Sequence, residues 1–244
     1  MKNSIVLIFF MMAAAQLQAA NPDDIKFNLG IHLGVNLGAA VPWPLSKGLG
    51  DDDMKVSLKT IPEFGFSTSY HLSSRWTTVA EASCSTFGIN AGLFTRSGQK
   101  FKDDGTIVVF YGRASTEMLF SVLDFPLYCK FKISENHRVY LGMYYSHLLK
   151  GKFNATALTG YMINPADPND LQAVVEPLYQ NFTPNLRRHD FGWLFGYEYQ
   201  IIDRLSITGR FSIGLRDIFK NGENYLDYKM LQMRGLLMFS YRIL

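Results

Sequence analysis

Residues 25–41 read IKFNLGIHLGVNLGAAV. The odd positions are Ile, Phe, Leu, Ile, Leu, Val, Leu, Ala and Val, and every even position between them is polar or small. Successive side chains of an extended strand point to opposite faces, so the segment predicts a strand with one wholly apolar face. The same alternation returns at Phe191, Trp193, Phe195, Tyr197, Tyr199 and Ile201, with Leu194 the one exception, and again at Leu205, Ile207, Phe211, Ile213 and Leu215. Weaker versions run through residues 56–72, 76–87, 116–133, 138–150 and 229–243, giving eight candidate strands.

The links between them are of two kinds. Short polar turns fall at residues 73–75, 134–137 and 202–204, and longer links at residues 42–55, 88–115, 151–187 and 219–228. Long and short alternate down the chain. That asymmetry belongs to outer-membrane barrels, whose periplasmic turns are short, whose extracellular loops are long and whose termini both lie in the periplasm. The expected fold is all-β: an eight-stranded antiparallel up-and-down transmembrane β-barrel with long extracellular loops.

A soluble lipocalin-type barrel would also show eight alternating strands, and the two faces decide between them. The non-apolar face collects Gly30, Gly34, Gly38, Gly65, Gly142, Gly192, Gly196 and Gly214 beside long charged side chains. Glycine weakens a water-facing strand, whereas a narrow barrel interior needs small residues opposite large ones. The apolar face carries more Phe, Trp, Tyr and Leu than an internal ligand cavity holds. Lipid outside and a packed polar interior follow.

Composition agrees. Of 244 residues 48% are apolar and 18% charged, against a usual charged fraction of about 25%, which excludes disorder. No apolar run of about 18 residues occurs beyond the extreme N-terminus, so no membrane helix is expected in the mature chain. The mean hydropathy of +0.00 suits a chain that alternates. A formal charge of +3 is too small and dispersed for a nucleic-acid protein. Cys84 and Cys129 form no CxxC and cannot supply a four-ligand zinc site, leaving free thiols or one disulfide.

The N-terminus reads as an address. Lys2, the apolar residues 4–15 (SIVLIFFMMAAA) and the small-residue ending QLQAA at residues 16–20 have the layout of a bacterial signal peptide. A leader over residues 1–20 and a barrel domain over residues 21–244 are therefore expected, in a Gram-negative outer membrane. The C-terminal YRIL, with Phe239, Tyr241 and Ile243 on the apolar face, has the alternating ending that the barrel-assembly machinery reads.

Four segments carry a resemblance: LDFPLYCKFK at residues 123–132, YLGMYYSHLLKGKF at 140–153, RRHDFGWLFGYEY at 187–199 and SIGLRDIF at 212–219. Together they resemble the outer membrane β-barrel domain family of Bacteroidetes, in particular its PorT-like members. Met143-Tyr144 stands where that family has Gly-Pro, and Leu244 is one residue beyond the usual end. The resemblance implies the fold and an envelope location. PorT itself is associated with the type IX secretion system, so a secretion or surface-assembly role is an expectation of the family rather than of these residues.

On the inward register lie Glu63, Glu81, Asp124, Asp190 and Glu198 with Lys130, Lys132, Arg210, Arg216 and Arg234, five acids against five bases. An unpaired charge in a lumen costs several kcal/mol, so the balance predicts a structural salt-bridge network, with Arg210 paired to Glu198 on the neighbouring strand. No catalytic, cofactor or metal site is expected. His189-Asp190 at the outer rim is the candidate for the alternative, a barrel enzyme acting on lipid or peptide, but no Ser motif accompanies it. His32 and His71 face the lumen on neighbouring strands, as a shared metal site would require. Asp167, Asn169 and Asp170 lack the Gly and terminal Glu of a calcium loop and read as turn chemistry. Outer-membrane lipid is the expected surround. A possible protein partner is assigned to loop 151–187, whose length and apolar content set it apart from a simple linker.

Overall fold

The computed structural model describes residues 27–44, 53–103, 106–164, 166–174, 176–220 and 228–243. The leader expected at residues 1–20 and the terminal Leu244 lie outside the described residues.

The alternating segment that opens the barrel becomes β1, Phe27–Trp43. There follow β2 (Asp53–His71), β3 (Trp76–Asp103), β4 (Thr106–Lys132) and β5 (His137–Asn164). After the short strands β6 (Asp167–Val174) and β7 (Leu178–Asn181) come β8 (His189–Ile202), β9 (Leu205–Asp217) and β10 (Lys229–Arg242). Every pairing is antiparallel, and the ring runs β1-β2-β3-β4-β5-β8-β9-β10 and back to β1. Closure leaves no wall strand with an open edge along its full length, which is how a sheet survives in hydrocarbon. Among the described residues the helical content is a 3-10 turn at Thr183–Asn185, and no helix is long and apolar enough to cross a membrane.

The count of strands is ten rather than eight. The ring has the eight expected, while β6 and β7 fold back from the third long link onto the upper part of β5. Strands β3, β4 and β5 also run far beyond the expected ends, so that Asp103 pairs with Thr106 and Val109 with Ile163. Period-two hydrophobicity fades in this region because an outer face above the lipid needs no apolar residues, whereas ladder hydrogen bonds continue regardless of side chain.

On the wall the two faces separate as the alternation dictates. In β8, Phe191, Trp193, Phe195, Tyr197 and Tyr199 are exposed, whereas Asp190, Leu194 and Glu198 are buried. Leu33, Val35, Leu37, Phe64, Phe66, Leu141, Met143, Phe239 and Tyr241 continue the exposed apolar belt. A continuous belt of this extent suits hydrocarbon and not water. Cys84 and Cys129 are free thiols on this outer face. The belt ends in charge: Lys59 Nζ lies 2.7 Å and Lys152 Nζ 2.5 Å from the carboxylate of Glu117.

An all-ladder cylinder of this kind should resist detergent until heated. Purified chain left unheated in SDS is expected to migrate as a compact β-rich species and to shift on boiling. Extraction from membranes by carbonate alone, or a helical circular dichroism spectrum, would contradict the fold.

Candidate functional site

The lumen is filled in layers, and β4 reads them in order. Counting from the short-turn end, its inward residues are Lys130, Tyr128, Pro126, Asp124, Val122, Phe120 and Met118, so charge gives way to hydrocarbon along one strand.

Nearest the turns, Glu198 on β8 takes Lys130 from β4 and Arg138 from β5, and Arg138 also reaches Gln200. In the next layer Arg210 crosses from β9 to β3, its Nη2 lying 2.7 Å from Glu81 Oε2, both side chains almost fully buried. Tyr128 donates to the same carboxylate, and the Arg210 guanidinium lies over the Tyr128 ring at 5.1 Å. Above it Arg234 from β10 grips Asp124 of β4 with two hydrogen bonds of 2.6 and 3.2 Å. Ser85 and Ser146 donate to the remaining lone pairs of Asp124. Bidentate geometry with further donors is what makes a buried ion pair tolerable. Arg234 is also sandwiched near the rings of Tyr144 (4.8 Å) and Phe87 (5.0 Å). Beside it Asn36 donates to Glu63 at 3.0 Å, and Tyr144 donates to Asp190 at 2.8 Å.

Several sequence expectations need correction. Arg210 does not pair with Glu198. The register sets Glu198 opposite Thr208 and Arg210 opposite Gly196, and the long side chain crosses the lumen to Glu81 instead. Lys132 is at the turn, paired with the exposed Glu135, and Arg216 is exposed with its guanidinium 4.8 Å from the Phe191 ring centroid. Neither joins the buried network. His32 is buried opposite Gly65, whereas His71 lies six residues further along β2 at the turn end, bonded to Asn28 and Thr77. At about 3.3 Å per residue the two cannot share a metal. No cluster of three metal-ligating side chains occurs among the described residues. Asp167 accepts the Asn169 amide at 3.2 Å, an Asx turn.

His189 and Asp190, adjacent on a strand, point to opposite sides of the wall. Asp190 is buried in the lumen, and His189 is exposed beside Tyr145 and His147. They cannot act on one atom. What charge counting missed are the inward phenols Tyr128, Tyr140 and Tyr144 and the cation Arg138. Their signal was available, since all four occupy even, inward positions of β4 and β5.

At the long-loop end the layers become apolar. Phe87, Met118, Phe120 and Phe153 of the wall meet Phe182 and Leu186 of the third link and Phe219 beyond β9. Arg187 fastens this link, donating to the carbonyls of Asp217 and Phe219 at 3.1 and 3.0 Å. Above the cluster is a cavity of about 580 Å³. The upper parts of β1 to β5 wall it, and Leu178, Tyr179 and Phe182 reach over it from the third link.

A model of the outer membrane protein beta-barrel domain matches residues 14–220. The chain belongs to this family. Membership places it in the outer membrane of a Gram-negative envelope. Among solved structures it is similar to Ail, the attachment invasion locus protein of Yersinia pestis, at 10% identity over 90% of this chain and 100% of that one, with a TM-score of 0.39. It is also similar to OprG from Pseudomonas aeruginosa (11%, 88% and 95%, 0.32) and to the outer membrane protease OmpT from Escherichia coli (10%, 90% and 97%, 0.35). Comparison with curated protein sequences finds no match.

Proposed function

We propose that this family member is a non-enzymatic outer-membrane protein that holds a partner or ligand at its long-loop end, with that end outside the cell and both termini in the periplasm. The observation that carries the reading is the third link. Its apolar residues serve different ends: Phe182 and Leu186 are buried over the barrel mouth and Leu178 and Tyr179 reach over the cavity, while Leu158, Tyr161 and Leu171 are exposed on the paired strands β5 and β6. An exposed apolar strip on ordered strands, above the Lys59, Glu117 and Lys152 cluster where the lipid belt ends on β2, β4 and β5, is a surface for a partner. The opposite faces of His189 and Asp190 weigh against the barrel-enzyme alternative.

Four segments of PorT-like character form walls of β4, β5, β8 and β9 and the Arg187 anchor. They support a place in a secretion or surface-assembly complex as the setting for that partner. The triple variant Leu158→Ser, Tyr161→Ser, Leu171→Ser is expected to keep the heat-modifiable barrel and to lose, more than tenfold, the proteins that co-purify with it from native outer membranes. Undiminished recovery of the same proteins would overturn the reading.

A further inference from the structure

The ladder between β1 and β2 stops at the pair Val35 and Pro62. Beyond it β1 continues to Trp43 paired only with β10 among the described residues, and β2 from Asp53 to Ile61 paired only with β3. The wall therefore has a slit. Its origin is local: Pro62 has no N–H to give the ladder, and the register of β2 shifts between Ile61 and Phe64. That bulge also inverts the faces. Val56 and Leu58 now sit opposite Ala91 and Ile89 and line the cavity, yet they remain 46% and 54% exposed because β1 does not cover them. Val41 and Pro42 line it from the other lip.

The cavity behind the slit is apolar. Among the described residues its lining includes no Lys, Arg, His, Asp or Glu, and its volume of about 580 Å³ is in the range of small-molecule sites. Below, it is closed by the layer of Phe87, Phe120 and Met118, under which Arg234 packs. It is a blind chamber, so what enters stays or leaves by the same end. The slit begins where the outward belt of Val35, Leu37 and Ile61 meets the charged Lys59. A lipid chain would lie at this height with its headgroup in the interface.

We propose that the chamber receives an unbranched hydrocarbon chain, of a membrane lipid or of a free fatty acid, through the slit between β1 and β2. The leaflet concerned is the outer one on the orientation given above, and the proposal rests on that reading for this alone. A chain is favoured over a charged ligand because the described lining is apolar and offers a buried charge no ionic partner.

Photolabelling of the folded chain in phosphatidylcholine nanodiscs tests this. One arm carries a diazirine-bearing acyl chain on the phospholipid, and the other supplies a diazirine fatty acid to unlabelled nanodiscs. Adducts are expected on peptides bearing Ile89, Met118 and Phe153, and the arm that gives them identifies the source. Ala157→Trp, which fills the chamber, should lower these adducts at least tenfold while leaving those at the lipid-facing Leu141 unchanged. Should that variant lose heat-modifiability, Ala155→Phe takes its place. Leu58→Arg should lower them similarly by charging the slit. Chamber adducts absent in both arms, or insensitive to the filling variant, would overturn the proposal, and so would full labelling in Leu58→Arg. Leu158, Tyr161 and Leu171 do not line the chamber. The triple variant should therefore label normally, and the partner reading and this one can fail separately.

Discussion

Arg210→Met is expected to destabilise the barrel by roughly 3–5 kcal/mol, because it leaves the Glu81 carboxylate buried with its cation gone. Glu81 keeps the Tyr128 hydroxyl as a donor, but a phenol does not neutralise a carboxylate. Unfolding in denaturant from lipid vesicles, followed by Trp fluorescence, measures the loss. The double variant Arg210→Met, Glu81→Gln should recover much of it, since no unpaired charge then remains inside. A second cycle sharpens the test. Arg210→Met combined with Glu198→Gln should be additive within about 0.5 kcal/mol, because Glu198 belongs to Lys130 and Arg138. Additivity in the first cycle, or strong coupling in the second, would show that the cross-lumen pairing is wrong.

The difference between those cycles shows how far the sequence could be read. Which residues face inward follows from period two within a strand, and most of the buried acids and bases were visible that way. Who pairs with whom is another matter. Glu81 and Arg210 are 129 positions apart on β3 and β9, and their meeting depends on ring closure, strand stagger and side-chain length. None of these is a local property of either segment. The same limit explains Arg216, which has the inward parity but lies beyond the last paired residues of β8 and β9 and turns to Phe191.

A different limit operates in β2. Parity alone sets Val56 and Leu58 on the lipid face with Phe64 and Phe66, and the bulge beside Pro62 reverses this. Proline within a strand was a warning, since it is found at bulges and open edges. Its consequence for the upper half of the strand becomes visible only against β3. The chamber and its slit were illegible for that reason, and the extension of β5 into the third link was illegible because a register shift at Leu158 breaks the hydrophobic period there.

The glycines of the inward face, by contrast, were legible in kind, and one of them sets the second large effect. A side chain at Gly196 would have its Cβ within 3.0 Å of both the Gly209 carbonyl oxygen on β9 and the ring of Tyr140 on β5. The carbonyl belongs to the ladder and cannot retreat without opening it. Tyr140 is equally confined: its ring packs against Tyr128 at 4.5 Å, and its hydroxyl accepts from Arg210 Nε at 3.3 Å. Gly196→Val should therefore disturb the Arg210 layer as well as the β8–β9 ladder. The expected cost is about 3 kcal/mol, the upper end for overpacking, because the displaced atoms include backbone. Gly209→Val is the control. That position faces outward with no other atom within 4 Å of an added Cβ, and β-branched residues suit strands, so its folding in lipid should match the parent. Reduced heat-modifiability and a lowered denaturant midpoint in Gly196→Val, with Gly209→Val unchanged, is the expected result. Equal behaviour of the two would mean that the lumen has room to spare at this height, and that the layers of charge and phenol are not close-packed as described.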